Sequence, residues 1–194
     1  MTQPRDWSRR YVGIDPGQTG GIAVLRYLFR PLEGCWQATS ELLPWPASFR
    51  LNGTSPFVPK ESGETLRSWI KACKDAHQIA CEVCTPRPGY AAKSLFHFGL
   101  NVGWWFGFVA HLERPIKLVY PQEWMGHYGF IGKGKNFIAD RAQAIFGDMP
   151  KRMADAIMIA HWAFATDPSA SLALRELVRG PQWLSAPLPA PQAT

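Results

Sequence analysis

Cysteine is scarce, with four among 194 residues. That is too few to staple a domain, so a disulfide-built scaffold is excluded and a reducing cytoplasm is the expected setting. Acid is also in short supply: 15 Asp and Glu stand against 21 Lys and Arg, for a formal net charge of +6. Such a balance favours a polyanionic partner through long-range attraction. No apolar run is long enough to span a bilayer, and residues 1–10 are polar where a signal peptide would be apolar. No internal repeat is visible. What is present, 46% hydrophobic and 19% charged residues, suits one globular domain with a substantial core.

The chain is organised around residues 11–25, which read as strand, tight turn, strand. Tyr11 to Ile14 is apolar and β-branched, Pro16 and Gly17 supply turn chemistry, and Ile22 to Leu25 is a second apolar run. Asp15 ends the first strand where its neighbours predict Val or Ile. A carboxylate there needs a metal ion or a ring of backbone N–H groups to offset its desolvation. The plainer alternative is an Asx-turn, with Asp15 bonding its own backbone before Pro-Gly.

Further along, residues 36–43 predict a third strand, and Pro44, Pro46, Pro56 and Pro59 mark an irregular connection. Residues 64–76 have helical spacing, with Leu66, Trp69, Ile70 and Cys73 on one face and Ser62 as N-cap. Residues 78–84 form a buried strand that carries Glu82 in mid-run. A buried Glu paired with an Arg is its ordinary explanation. Cys81 and Cys84 have Cys-x-x-Cys spacing but lack a second Cys or His pair, so they read as core thiols rather than a zinc site.

Residues 85–90 form a Pro/Gly loop, and residues 91–112 a helix that is apolar almost all round. Gly99, Gly103 and Gly107 give that helix one smooth face for close approach of another backbone, and a buried core helix packing on its own sheet is the plainer alternative. Residues 116–120 predict a strand, followed by a loop with Pro121 and Trp124. Lys133 and Lys135 then stand among glycines at a helix start, where phosphate contact and a solvated turn are both reasonable readings. After a helix over 137–146, residues 147–150 break the chain and Pro150 opens the last core helix. Asp155 lies on that otherwise apolar helix, the third acid in an apolar setting.

These stretches resemble the RuvC-like Holliday-junction resolvases, phage and bacterial branch, of the RNase H-like superfamily. The matching residues are Gly13-Ile14-Asp15-Pro16-Gly17 with Thr19 and Gly20, Phe96 to Gly99, the Pro121-to-Trp124 element, and Ala154 to Ala160 around Asp155. The resemblance covers residues 11–164. The actin/Hsp70/sugar-kinase ATPase superfamily shares the first loop, but it predicts a duplicated domain and a second Gly-rich phosphate loop, which this chain lacks.

The resemblance implies an α/β RNase H-like fold, with a mixed central sheet opened by a β-hairpin and helices on both faces. The domain would occupy residues 11–166, between a basic lead-in (1–10) and a short helix with a Pro-rich tail (167–194). It implies a structure-selective endodeoxyribonuclease that cleaves four-way junctions in a prokaryotic cell or phage-infected host. Asp15, Glu82 and Asp155 would hold two Mg²⁺ ions, replaceable by Mn²⁺, with Lys135 on the phosphate and Asp148 as a further ligand. Arg87, Tyr90, Lys93, Phe96, Lys133, Lys135 and Arg152 would line the DNA path, and the helix over 98–112 would join two copies.

One departure matters. Family members commonly carry an Asp or His one turn before the last acid, and here that place is Arg152. Asp148 stands seven residues before Asp155, roughly 10 Å of helical rise, and reads also as a helix cap; Asp140 and His161 are weaker substitutes. The alternative function is a junction-binding protein that does not cut.

Overall fold

The computed structural model describes residues 9–16, 20–30, 35–44, 62–83, 89 and 91–170. Strands β1 (Arg9–Asp15), β2 (Gly21–Arg30) and β3 (Cys35–Pro44) pair antiparallel in sequence. Strand β4 (Gln78–Glu82) joins the free side of β1 in parallel, and β5 (Ile116–Val119) joins β4 in parallel. The sheet order is therefore β3-β2-β1-β4-β5. Parallel neighbours need crossover connections. Helix α1 (Ser62–Lys74) lies between β3 and β4, and α2 (Ala92–His111) links β4 to β5. Helices α3 (Pro121–His127), α4 (Lys135–Phe146) and α5 (Ala154–Ala165) follow, the last entered through a 3-10 turn at Lys151–Met153.

The two-residue period of a strand sorts the core into two layers. Val12, Ile14, Ile22, Val24, Ile79 and Cys81 face α1 and α2, where Trp69 and Trp105 are almost fully buried. Tyr11, Ala23, Leu25 and Ala80 face the other way, onto α3, α4 and α5. Helices thus cover both faces of a mixed sheet opened by a β-hairpin, which is the expected RNase H-like arrangement. Burying a large apolar side chain contributes roughly 1.5–3 kcal/mol, so the two layers dominate the stability.

Helix α5 is buried on nearly every side, as its all-apolar surface requires. It presses on β1 at Gly13. A Cβ built there would stand 2.1 Å from the Ala156 carbonyl oxygen and 2.3 Å from the Ala160 nitrogen. Only glycine permits the crossing.

Several boundaries move. The stretch from Pro121, expected as loop, is a helix: Pro121 takes its first turn and the Glu123 carboxylate accepts from the Tyr120 N–H at 2.7 Å. Ser62 is the first residue of α1 rather than its cap. Asp148 caps no helix; Pro150 holds the N-cap position of the 3-10 turn. The expected lead-in is shorter, since Arg9 and Arg10 belong to β1. Arg9 donates to Ser169 Oγ at 2.8 Å, and the Tyr11 hydroxyl donates to Asp167 Oδ2 at 2.7 Å, tying the start of β1 to the end of α5. The helix expected over 171–178 and the tail beyond it lie outside the described residues, as do residues 1–8.

Candidate active site

Asp15 and Glu82 end neighbouring parallel strands, one residue beyond the paired positions Ile14 and Cys81. Adjacent strands stand about 4.8 Å apart. Alternation puts both carboxyls on the face that α5 covers, with Tyr11 and Ala80. Asp155 lies in the first turn of α5, next to Ala156, whose carbonyl meets Gly13. The same crossing that needs Gly13 therefore delivers the third acid to the ends of the strands. The helix N-terminus also favours a negative charge at Asp155.

Asp15 is buried, at 8% exposure. Gly20 closes over it, since a Cβ at that position would meet the Asp15 carboxyl at 2.6 Å. Glu82 is pushed up to about 8, first by burial, then by the negative charge of Asp15, with Asp155 adding to it. A hydrogen bond from Trp124 and the charge of Lys135 oppose that rise. Burial likewise raises Asp155, and Lys135 opposes it. The acids thus share one electrostatic environment. Burial also pushes the Cys81 thiol up, with Asp15 and Glu82 adding to it, so it stays protonated, as a core thiol should.

Lys135, the first residue of α4, reaches this group. Its Nζ lies 3.9 Å from Asp155 Oδ2, while 87% of its side chain is exposed. Lys133 sits over the Phe137 ring, with Nζ 5.6 Å from the centroid. Trp124 of α3 is 1% exposed, and its indole N–H donates to Glu82 Oε1 at 2.9 Å. The sequence placed Trp124 in a motif without giving it this task. A buried indole must find an acceptor, and that requirement was the available signal.

The other expected residues stand apart. Asp148 is exposed, Asp140 pairs with Lys151 at 3.5 Å, and Arg152 is exposed in the 3-10 turn. His161 is buried among Tyr128, Phe146 and Phe164, its Nδ1 bonded to the Tyr128 hydroxyl, and burial lowers it to about 3. Phe96 is 65% exposed. Arg87 and Tyr90 lie outside the described residues, and the Lys93 side chain is not described.

A divalent ion can be tested against this donor set. Among the described residues, no group of three or more His, Cys, Asp or Glu side chains is gathered closely enough to hold one. The donor type alone suits a hard cation, since all three are carboxylates, but they are not gathered into a ready-made site. Burial raises Glu82 most, and the charges of Asp15 and Asp155 add a smaller repulsion that a cation would relieve.

The sign of that rise gives a prediction. A carboxyl raised on folding contributes stability that is fully present below its ordinary value of 4.5 and lost as pH climbs through about 8. His161 and His77, both lowered on folding, add stability as pH rises to 6.5, so thermal unfolding without divalent ions should show the Glu82 loss between pH 6.5 and 8, by about 2 kcal/mol at most. Glu82→Gln should flatten the slope, and Mg²⁺ should restore Tm at pH 8. A slope unchanged in Glu82→Gln would contradict the assignment.

No protein-family model matches the chain, and no curated protein matches it. Its structure is similar to that of Thermus thermophilus RuvC, at 19% identity and a TM-score of 0.46, over 78% of this chain and 90% of that one. It is also similar to T. thermophilus RuvC in complex with a Holliday junction substrate, at 18% identity and a TM-score of 0.49, over 84% of this chain and 98% of that one.

Proposed function

We propose that the protein is a divalent-metal-dependent endonuclease that cuts phosphodiesters in branched DNA, four-way junctions above all. The observation that carries this reading is the placement of Asp15 and Glu82 on adjacent parallel strand ends, with Asp155 brought to them by the α5 crossing. The net charge of +6 supports a polyanionic substrate.

In this reading Asp15, Glu82 and Asp155 would hold Mg²⁺ ions. Bound there, the ions would supply Lewis-acid stabilisation of the phosphoryl oxygens and a more acidic water. The protein's own part is positioning and charge. Asp15 is held rigidly by burial under Gly20, and Glu82 by the indole of Trp124. Lys135, exposed and already near Asp155, would place its ammonium group on the scissile phosphate. Lys133 and Arg152, both exposed, would contact flanking phosphates, together with Arg87 and Lys93. Tyr90 would offer its ring to an unpaired base, whereas Phe96, expected there too, is exposed on the α2 groove.

Two copies would join through α2. Among the described residues nothing lies within 4 Å of a Cβ built at Gly99, Gly103 or Gly107, so that face is not packed on the chain's own sheet. Leu95, Phe96, Gly99, Leu100, Gly103 and Trp104 line a shallow groove of about 540 Å³ there. Leu100→Lys should convert a dimer to a monomer in sedimentation; a wild-type monomer would remove this part of the reading.

The second reading, a junction-binding protein that does not cut, is favoured by the lack of a gathered metal-ligand group among the described residues. One assay separates the two. Nicking of a synthetic four-way junction in Mg²⁺, with plain duplex of the same sequence spared, supports the nuclease. Tight junction binding without nicking in Mg²⁺ or Mn²⁺ supports the other.

A further inference from the structure

The turn between α3 and α4 presents an apolar side chain among lysines. Phe130 anchors it: the ring is 2% exposed and packs on Tyr128 and Phe137, and its N–H donates to the Met125 carbonyl at 2.7 Å. The Lys133 N–H donates to the Phe130 carbonyl at 2.9 Å, closing a β-turn with Ile131 and Gly132 at its tip. Gly132 has a φ of 78°, which the third position of a type II turn requires. Ile131 therefore stands on a braced tip, and it is 62% exposed. A lone surface isoleucine needs no explanation, but this one has charged company. Lys133 closes the same turn, and Lys135 Nζ lies 3.9 Å from Asp155 Oδ2.

Chain geometry keeps the tip near the acids. The four residue steps from Ile131 to Lys135 reach at most about 14 Å, and DNA advances about 3.4 Å per nucleotide. Ile131 thus acts within about four nucleotides of any phosphate that Lys135 holds. An aliphatic side chain offers nothing to a phosphate; it fills a gap between two base faces, as apolar wedges do. Opening that gap in a continuous duplex means unstacking a step, whereas at a branch point the stack is already interrupted. We propose that Ile131 is a wedge that enters the interrupted stack at a branch point and so favours branched DNA over duplex. This rests on the reading that the end of the sheet with Asp15, Glu82 and Asp155 faces DNA.

The test uses the full chain in EDTA, so that binding is read without cutting. The probes are a four-way junction with 2-aminopurine beside the branch and a duplex of the same sequence. Wild type should prefer the junction, and the fluorescence should rise on binding as the base loses its stacked neighbour. Ile131→Ser should lower junction affinity about tenfold, the loss of one buried aliphatic side chain. The rise should disappear, while duplex affinity, Tm and the salt dependence of binding stay as in wild type, since no charge is lost. Junction affinity and fluorescence rise intact in Ile131→Ser, or an equal loss on junction and duplex, would overturn the proposal. A second measurement stands on the wild type alone, should the variant fail to fold. The Ile131 δ1-methyl resonance should move upfield on junction binding, from the ring currents of flanking bases, and a stationary resonance would rule the wedge out. Failure of the wild type to bind either DNA would instead remove the DNA reading beneath it.

Discussion

Asp15→Asn should lower the rate of junction cleavage by about 10³-fold or more, while leaving junction affinity within a few-fold of wild type. A charge that anchors divalent ions at a phosphoryl centre is worth several kcal/mol in the transition state, and about 4 kcal/mol corresponds to three orders of magnitude. The substitution suits the site, because Asn has the shape of Asp and Gly20 leaves no space for anything larger. It also has an effect on the resting protein. Removing the Asp15 charge takes away a repulsion that, after burial, raises Glu82, so the fall in stability between pH 6.5 and 8 without divalent ions should be shallower than in wild type. Cleavage rates, a gel-shift titration and a thermal scan report these results separately. Wild-type cutting by Asp15→Asn would remove that residue from the site, and lost binding would show that the change had disturbed more than one charge.

Gly13→Ala should be among the most damaging small changes at the described residues. The new Cβ would meet the backbone of α5 at Ala156 and Ala160, and neither atom can swing aside as a side chain would. Either α5 lifts from β1 or the strand bends. Overpacking of this kind costs ~3 kcal/mol or more, a fall of roughly 10 °C in Tm for a domain of this size. Because α5 also carries Asp155, any protein that still folds should lose cleavage beyond its loss of stability. Chemical denaturation checks the first effect and activity per folded molecule the second. A variant with wild-type Tm would show that α5 does not need this glycine.

Much of this was legible in the residues. Asp15, Glu82 and Asp155 each break an apolar pattern, and such breaks persist only where something offsets their desolvation. The strands followed from short apolar runs and α2 and α5 from long ones, while the mixed sheet itself came only from the family resemblance. Short-range chemistry was harder to place. Helix α3 has 7 residues, too few for periodicity to show, although Pro121 and Glu123 mark its start. The bond from Trp124 to Glu82 depends on the register of β4 against β5, which no local pattern encodes. The ion pair of Lys135 with Asp155 likewise arises from how α4 meets α5. His161 has ligand chemistry, but its helix face turns it into an aromatic layer away from the acids. The glycine stripe on α2 fitted two partners equally from the sequence. Its own sheet is now excluded among the described residues.

The measurement closest to the central claim is anomalous diffraction from crystals grown or soaked in Mn²⁺, collected near the manganese edge. Manganese peaks should lie among the carboxylates of Asp15, Glu82 and Asp155, and should vanish in Asp15→Asn. Well-ordered crystals with no manganese at these side chains, or with manganese only at unrelated surface acids, would contradict the account.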